Sequence, residues 1–312
     1  MITLDDIHQA RQRITPHIRR TPLVEASGLS APVTEAELWL KLECLQVTGS
    51  FKARGATNKL LATPPEEMAR GVTTASGGNH GLAVARAAKL AGVPATIFVP
   101  TNVTQAKIDK LRKWGATVEV VGSVWNETNL SALAFARDKD CAYFHPFADP
   151  YVVAGQGTLA LELLEQQPDL DAVLIAIGGG GLITGMSVAL KALKPSIRIV
   201  GIEPTGAPTF YASMAAGHVV KLDKVTTRVA TMACAETDRE VFATSRGLID
   251  EIVLIDDDDM LDAARWLWFE MGLTADLSGA AAAAALRKGV LRFPAGEKIC
   301  ALVCGAGPEG LA

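Results

Sequence analysis

The chain has 312 residues, 49% of them hydrophobic, which supplies one large or two moderate buried cores and excludes a disordered polymer. Thirty basic against thirty-four acidic residues leave a formal charge of −4, and with no basic block and one acidic run at 256–259, nucleic acid and anionic membrane surfaces are excluded as partners. No apolar stretch approaches the roughly 20 residues that span a bilayer, and the opening Met1-Ile2-Thr3-Leu4-Asp5-Asp6 lacks the basic and apolar regions of a secretory signal.

In chain order, 38–43 alternates leucine against Trp, Lys and Glu as a strand does. Thr48-Gly49-Ser50-Phe51-Lys52-Ala53-Arg54-Gly55-Ala56 follows, where that strand stops and a helix starts, with Ser50 as its expected cap. Apolar, β-rich runs then recur between amphipathic segments at 72–74, 95–99, 117–121, 172–177, 197–202, 251–255 and 299–303. Strands alternating with helices predict an α/β chain, and runs apolar throughout predict strands covered on both faces, hence mostly parallel sheets. Residues 71–144 keep a strand-helix rhythm of their own, and His145-Pro146-Phe147-Ala148-Asp149-Pro150 marks a rigid crossing at its end. The expected organisation is a larger domain of residues 1–52 and 148–312 with a smaller one, 53–147, set inside it. The alanine run at 280–285 predicts a helix packed tightly against a neighbour.

Four segments carry residues fit for chemistry. Lys52 falls in the first turn of its helix, where the positive end of the dipole disfavours an ammonium and favours the neutral, nucleophilic amine; a solvated surface charge is the plain alternative. Gly178-Gly179-Gly180-Gly181 follows the run at 172–177 and opens a helix, so converging backbone N–H groups suit a phosphate, against the alternative of a simple tight turn. The run lacks the Lys-Ser/Thr ending of a nucleoside-triphosphate loop. Ile183 stands where a dinucleotide fingerprint needs its third glycine, so a nicotinamide enzyme is disfavoured although Glu203 imitates its ribose-binding acid.

Ser76-Gly77-Gly78-Asn79-His80-Gly81 again places backbone donors at a helix start, and Ser76 and Asn79 add side-chain donors for a carboxylate or phenolate oxygen. An ordinary capped glycine turn is the alternative, and His80 reads as a hydrogen-bonding residue rather than a zinc ligand, having no partner at metal-ligand spacing. Cys304 ends the run at 299–303 before Gly305-Ala306-Gly307-Pro308, either as a small buried hydrophobe or as part of a site. All four segments fall at the carboxyl ends of expected strands, where open α/β sheets gather their ligands. The five cysteines, at 44, 141, 234, 300 and 304, form no CxxC pair, which fits a reduced, cytoplasmic protein.

In this order the lysine turn, the glycine turn bearing Asn79, the tetraglycine and the strand-end Cys304 resemble the fold-type-II pyridoxal-phosphate enzymes, and within them the serine/threonine dehydratases. Similarity extends to Ile18-Arg19-Arg20-Thr21-Pro22-Leu23, His145-Pro146-Phe147 and Ala154-Gly155-Gln156-Gly157-Thr158, so it spans nearly the whole chain. The resemblance implies two open, mostly parallel sheets flanked by helices, as in tryptophan synthase β chains, with the active site between domains. It implies pyridoxal 5'-phosphate as cofactor, carried by Lys52 as the Schiff-base lysine, with Lys52 then serving as general base on the α-carbon. By the same resemblance Gly178, Gly179, Gly180 and Gly181 hold the phosphate, Asn79 the ring oxygen, and Cys304 the pyridine nitrogen, while Phe51 and Phe147 flank the ring. Ser76, Gly77, Gly78 and His80 then form the loop for the substrate carboxylate. A neutral partner such as Cys304 weakens the electron sink and favours prompt loss of a β-substituent. The implied activity is an ammonia-lyase turning a β-hydroxy-α-amino acid into a 2-oxo acid and ammonia, in a homodimer.

Departures from the family pattern narrow the expectation. Serine racemases of the family carry a second serine where this chain has Gly77, which disfavours racemisation, although an amino-acid racemase or β-replacement enzyme stays as the alternative and a non-enzymatic cofactor-binding regulator as a remoter one. The divalent-cation site of some relatives falls on Glu203, Ala207 and Thr209; without its aspartate no divalent metal is expected, a monovalent ion remaining open. Asp276-Leu277 replaces a usual Glu-Pro before Ser278-Gly279-Ala280, and Thr231-Met232-Ala233-Cys234-Ala235 replaces a usual Thr-Ile-Ala-Asp-Gly. Both lie on the expected substrate side, so a bulkier or more polar β-hydroxy amino acid than threonine enters consideration. The end at Ala312 leaves no regulatory domain, and with it no expected feedback inhibition by isoleucine.

Overall fold

Residues 2–123 and 125–311 are described by a computed structural model. Their strands, in chain order, are β1 (Leu23–Glu25), β2 (Glu37–Lys41), β3 (Val72–Ala75), β4 (Ala95–Val99), β5 (Thr117–Val120), β6 (Ala142–Tyr143), β7 (Ala172–Ala176), β8 (Arg198–Pro204), β9 (Glu251–Ile255) and β10 (Lys298–Leu302). They form one six-stranded sheet in the order β1-β2-β10-β7-β8-β9 and one four-stranded sheet in the order β5-β4-β3-β6. Every pairing is parallel except that of β1 with β2. Parallel neighbours need crossover connections, and helices supply them on both faces of each sheet. The uninterrupted apolar run of β7 is buried at all five positions, as a central strand between helical layers must be.

Two short strands, β1 and β6, were not expected. β1 is a three-residue antiparallel edge strand, too short to show any alternation. β2 stops at Lys41 rather than at 43, because Leu42 leaves the strand region and two short 3₁₀ turns, Glu43–Leu45 and Val47–Gly49, carry the chain toward Lys52. Thr48, with φ of 65°, takes the left-handed conformation that non-glycine residues seldom adopt. The alanine run behaves as expected: helix Leu277–Arg287 is buried along 278–286 and lies against β7, β8, β9 and β10. Side chains of one carbon let that helix approach the sheet closely.

Helix Lys52–Ala62 joins the two sheets. On one side it crosses helix Pro150–Gln166 at two glycines, where a Cβ on Gly155 would lie 2.6 Å from the Gly55 Cα. On the other side Ala56 and Leu60 enter the core of the four-stranded sheet. Four charged side chains, Lys41, Glu43, Arg54 and Glu162, are buried together at this junction. Among the described residues no helix is long and apolar enough to cross a membrane.

Candidate active site

Lys52 begins its helix, but the expected cap does not form. Phe51 occupies the N-cap with no side-chain bond, while Ser50 is extended, fully buried and bridged to Gly305, its hydroxyl without a partner. The 3₁₀ turns have already reversed the chain, so Ser50 is held as a strand against the segment after β10 rather than as a cap. The Lys52 Nζ donates to the Pro146 carbonyl at 2.7 Å and stands 5.2 Å from the Phe51 ring centroid. Its pKa falls from 10.5 to about 8, and removal from water is the main cause rather than the helix dipole. About a tenth of the amine is therefore neutral at pH 7, far more than for a lysine at its ordinary value.

The four glycines follow β7 and open helix Gly181–Leu193. A Cβ at Gly179 would lie 2.2 Å from the Phe147 ring, and one at Gly180, where φ is +92°, would lie 2.3 Å from the Phe210 ring. At Gly178 and Gly181 it would meet the carbonyls of Thr231 and Phe147, each at 2.8 Å. Neighbouring segments thus close the turn on its side-chain directions. Among the described residues its N–H groups meet no backbone or side-chain acceptor, so they remain free to converge on an anion at a helix N-terminus. A phosphate fits this cradle, and a reactive lysine with a depressed pKa fits an aldehyde, so the two together suit pyridoxal phosphate.

The 76–81 loop follows β3 and starts helix Asn79–Ala91. The Gly78 N–H points to the Ser76 hydroxyl at 3.4 Å. A Cβ at Gly77 would lie only 2.6 Å from Val103 Cγ2. His80 is 3% exposed and turns its ring away, with Nε2 3.0 Å from the Phe144 carbonyl and Nδ1 buried without a partner. Burial, reinforced by the Lys52 charge, pushes its pKa down to about 3, so the ring is neutral. Asn79 donates through Nδ2 to Asp276 Oδ2 at 2.9 Å. Cys304 is fully enclosed, its thiol directed at the Ser278 hydroxyl 3.8 Å away, and burial followed by the Asp276 charge raises its pKa. The thiol stays protonated.

Val103 and Thr237 went unassigned in the sequence, whereas Asp276 and 231–235 stood there as departures on the expected substrate side with no individual role. Thr231 lies against both glycine turns, its methyl 4.0 Å from the Cβ position of Gly78, and Thr237 donates to the Gly179 carbonyl at 3.0 Å. Nothing in the sequence tied Asp276 to Asn79; locally it is an acid ahead of a helical run, a cap pattern. Val103 carries no local signal at all.

Glu203 is buried, and its carboxylate accepts from the Phe210 N–H at 2.9 Å and the Tyr211 N–H at 2.8 Å, at the start of helix Thr209–Ala216. Burial nevertheless raises its pKa from 4.5 to about 7. A folded-state pKa above the unfolded one stabilises fully below pH 4.5, and the contribution disappears as pH rises through about 7. Glu203→Gln is therefore expected to flatten the decline in stability across that window in denaturant titrations, a change absent if Glu203 ionises normally.

Comparison with known proteins agrees with this geometry. A family model described as pyridoxal-phosphate dependent enzyme matches residues 14–305. The L-threonine ammonia-lyase of Thermotoga maritima is 38% identical over 286 residues, covering 92% of this chain and 71% of that protein. A serine racemase of Oryza sativa subsp. indica is 36% identical over 287 residues, covering 90% of this chain and 83% of that protein. The structure of maize serine racemase superposes with a TM-score of 0.92 at 33% identity, over 97% of this chain and 93% of that one. The chain belongs to the fold-type-II pyridoxal-phosphate-dependent enzymes, and pyridoxal 5'-phosphate is its cofactor.

Proposed function

We propose that this enzyme is an ammonia-lyase for β-hydroxy-α-amino acids of the serine and threonine class, bulkier or more polar analogues included, releasing a 2-oxo acid and ammonia. The observation that carries this over racemisation is the contact behind Gly77. A second acid/base on the substrate face opposite Lys52 would need a side chain there, and its Cβ would stand 2.6 Å from Val103 Cγ2. Lys52 is then the one group positioned to move the α-proton.

Bound pyridoxal phosphate supplies the electron sink for the charge left on the α-carbon. The chain's residues do the rest. Gly178, Gly179, Gly180 and Gly181 hold the phosphate through their N–H groups. With the cofactor bound, Asn79 would hold the ring oxygen, Cys304 would meet the ring nitrogen as a neutral thiol, and Phe51 and Phe147 would flank the ring. Ser76, Gly77, Gly78 and the His80 N–H orient the substrate carboxylate, the imidazole being engaged with Phe144. Lys52 Nζ, neutral in part because of burial, accepts the α-proton.

Residues 1–52 with 148–312 form the larger domain in this proposal and 53–147 the smaller. Support comes from the four-stranded sheet, all of whose strands fall within 72–143. The enzyme works as a homodimer by analogy with its family, which a solution mass measurement checks. All five cysteines are free, which supports a reducing, cytoplasmic setting.

The test is a panel of β-hydroxy amino acids of both configurations, read for ammonia, 2-oxo acid and enantiomeric composition. Ammonia and oxo acid in equal amounts are expected. Inverted amino acid without ammonia would sink the proposal in favour of a racemase.

A further inference from the structure

Asp276 stands where the sequence departs from its family, and the proposed function gives it no task. The geometry points to Asp276 as the positioning residue that sets both Asn79 and Cys304 toward the cofactor ring. Its side chain is nearly enclosed, at 9% exposure. Oδ2 accepts the Asn79 Nδ2 at 2.9 Å, while Oδ1 accepts the Gly279 N–H at 2.6 Å and the Ser278 hydroxyl at 2.7 Å. The Ser278 oxygen in turn faces the Cys304 thiol at 3.8 Å. One carboxylate thereby ties together the partners assigned to the ring oxygen and the ring nitrogen.

The fit of this carboxylate is set by glycines on the segment after β10. A Cβ at Gly305 would lie 2.6 Å from Asp276 Oδ2, and one at Gly307 would lie 2.8 Å from the Asp276 Cα. Asn79 has two amide hydrogens. One is taken by Asp276, leaving the second directed elsewhere, and flipping the amide would set its oxygen against the carboxylate. Asp276 therefore fixes which end of the Asn79 amide faces outward. The same carboxylate takes the Ser278 hydroxyl proton, so Ser278 faces Cys304 only as an acceptor, which places the sulfur and keeps the thiol protonated; its single S–H serves Ser278 or the ring nitrogen, one at a time.

Helix capping alone is the competing role, because Asp276 is also the N-cap of helix Leu277–Arg287. Asp276→Asn separates the two, since asparagine caps as well as aspartate but presents no carboxylate to Asn79. The inference rests on the proposed roles of Asn79 and Cys304, not on the reaction catalysed. In Asp276→Asn, pyridoxal phosphate titrated into the apoenzyme is expected to bind about tenfold more weakly, the effect of one charge-assisted hydrogen bond. The visible band of the bound cofactor, and its dependence on pH, should shift, with the melting temperature of the apoenzyme little changed. In an Asn79→Ala background the substitution should cost much less. Unchanged affinity and spectrum in Asp276→Asn, or an equal loss with and without Asn79, would overturn the proposal. An Asp276→Asn effect in a protein that releases no ammonia would remove the proposed function and leave this inference standing.

Discussion

Lys52→Ala is expected to abolish ammonia release and leave a protein without the visible absorption of covalently held cofactor. Losing a positioned general base costs about 10²–10⁴-fold by itself, and Lys52 is also the amine that holds the aldehyde, so residual turnover should fall below that range. Lys52→Arg is the sharper variant. Guanidinium keeps the positive charge and most of the length but cannot lose its proton, so it should be as inactive as alanine. A lysine acting only by charge would be rescued by arginine. The pH dependence gives an independent reading of the same amine. Burial brings its pKa from 10.5 to about 8, and only the neutral form attacks an aldehyde. Attachment of cofactor to the apoenzyme should therefore quicken by about tenfold per unit as pH rises toward 8 and level off above it. A rise continuing toward pH 10 would show that Lys52 is solvated like a surface lysine.

The candidate site was legible in the sequence because this architecture gathers strand ends, and the proposed residues lie at them. Ser76, Gly178 and Cys304 follow apolar runs and Lys52 follows the alternating strand β2 after two short turns, so each lies past the carboxyl end of a strand, where open α/β sheets gather their ligands. Pairing across the chain was not legible. Lys41 and Glu43 look like the polar face of a half-exposed strand, yet both are fully buried, because helix Pro150–Gln166 brings Glu162 to Lys41 and helix Lys52–Ala62 brings Arg54 to Glu43. Nothing local announces a partner 121 residues away. The same limit hid Val103 behind Gly77 and Asp276 beside Asn79, contacts made between segments rather than along one. Ser50 misled for a different reason: a cap residue before a helix is a local pattern, and tertiary pairing with Gly305 overrode it.

Arg54→Met is expected to produce the largest loss of stability. Arg54 donates through Nε and Nη2 to Glu43 at 2.8 and 2.7 Å and through Nη2 to Glu162 at 2.9 Å. Lys41 Nζ reaches Glu162 at 2.6 Å, and Thr21 adds its hydroxyl to Glu43 at 2.6 Å. Two cations and two carboxylates balance out of water. Methionine fills much of the same space but leaves two buried carboxylates facing one ammonium, which costs about 3–5 kcal/mol. For a chain of 312 residues that corresponds to a fall in melting temperature of roughly 5–8 °C. Acid makes the mechanism visible. Burial alone would raise the Glu162 pKa, but Arg54 and Lys41 hold it below its ordinary 4.5. A depressed carboxylate stabilises above pH 4.5 and loses that contribution as pH falls through its folded value. Without Arg54 the Glu162 pKa should rise, and the variant's deficit should shrink as the medium becomes acidic. A deficit independent of pH would mean that lost packing, not lost charge, is responsible. Replacing Lys41, Glu43, Arg54 and Glu162 together by apolar residues should recover much of the stability, because the penalty lies in the unpaired charge and not in the absence of the pair.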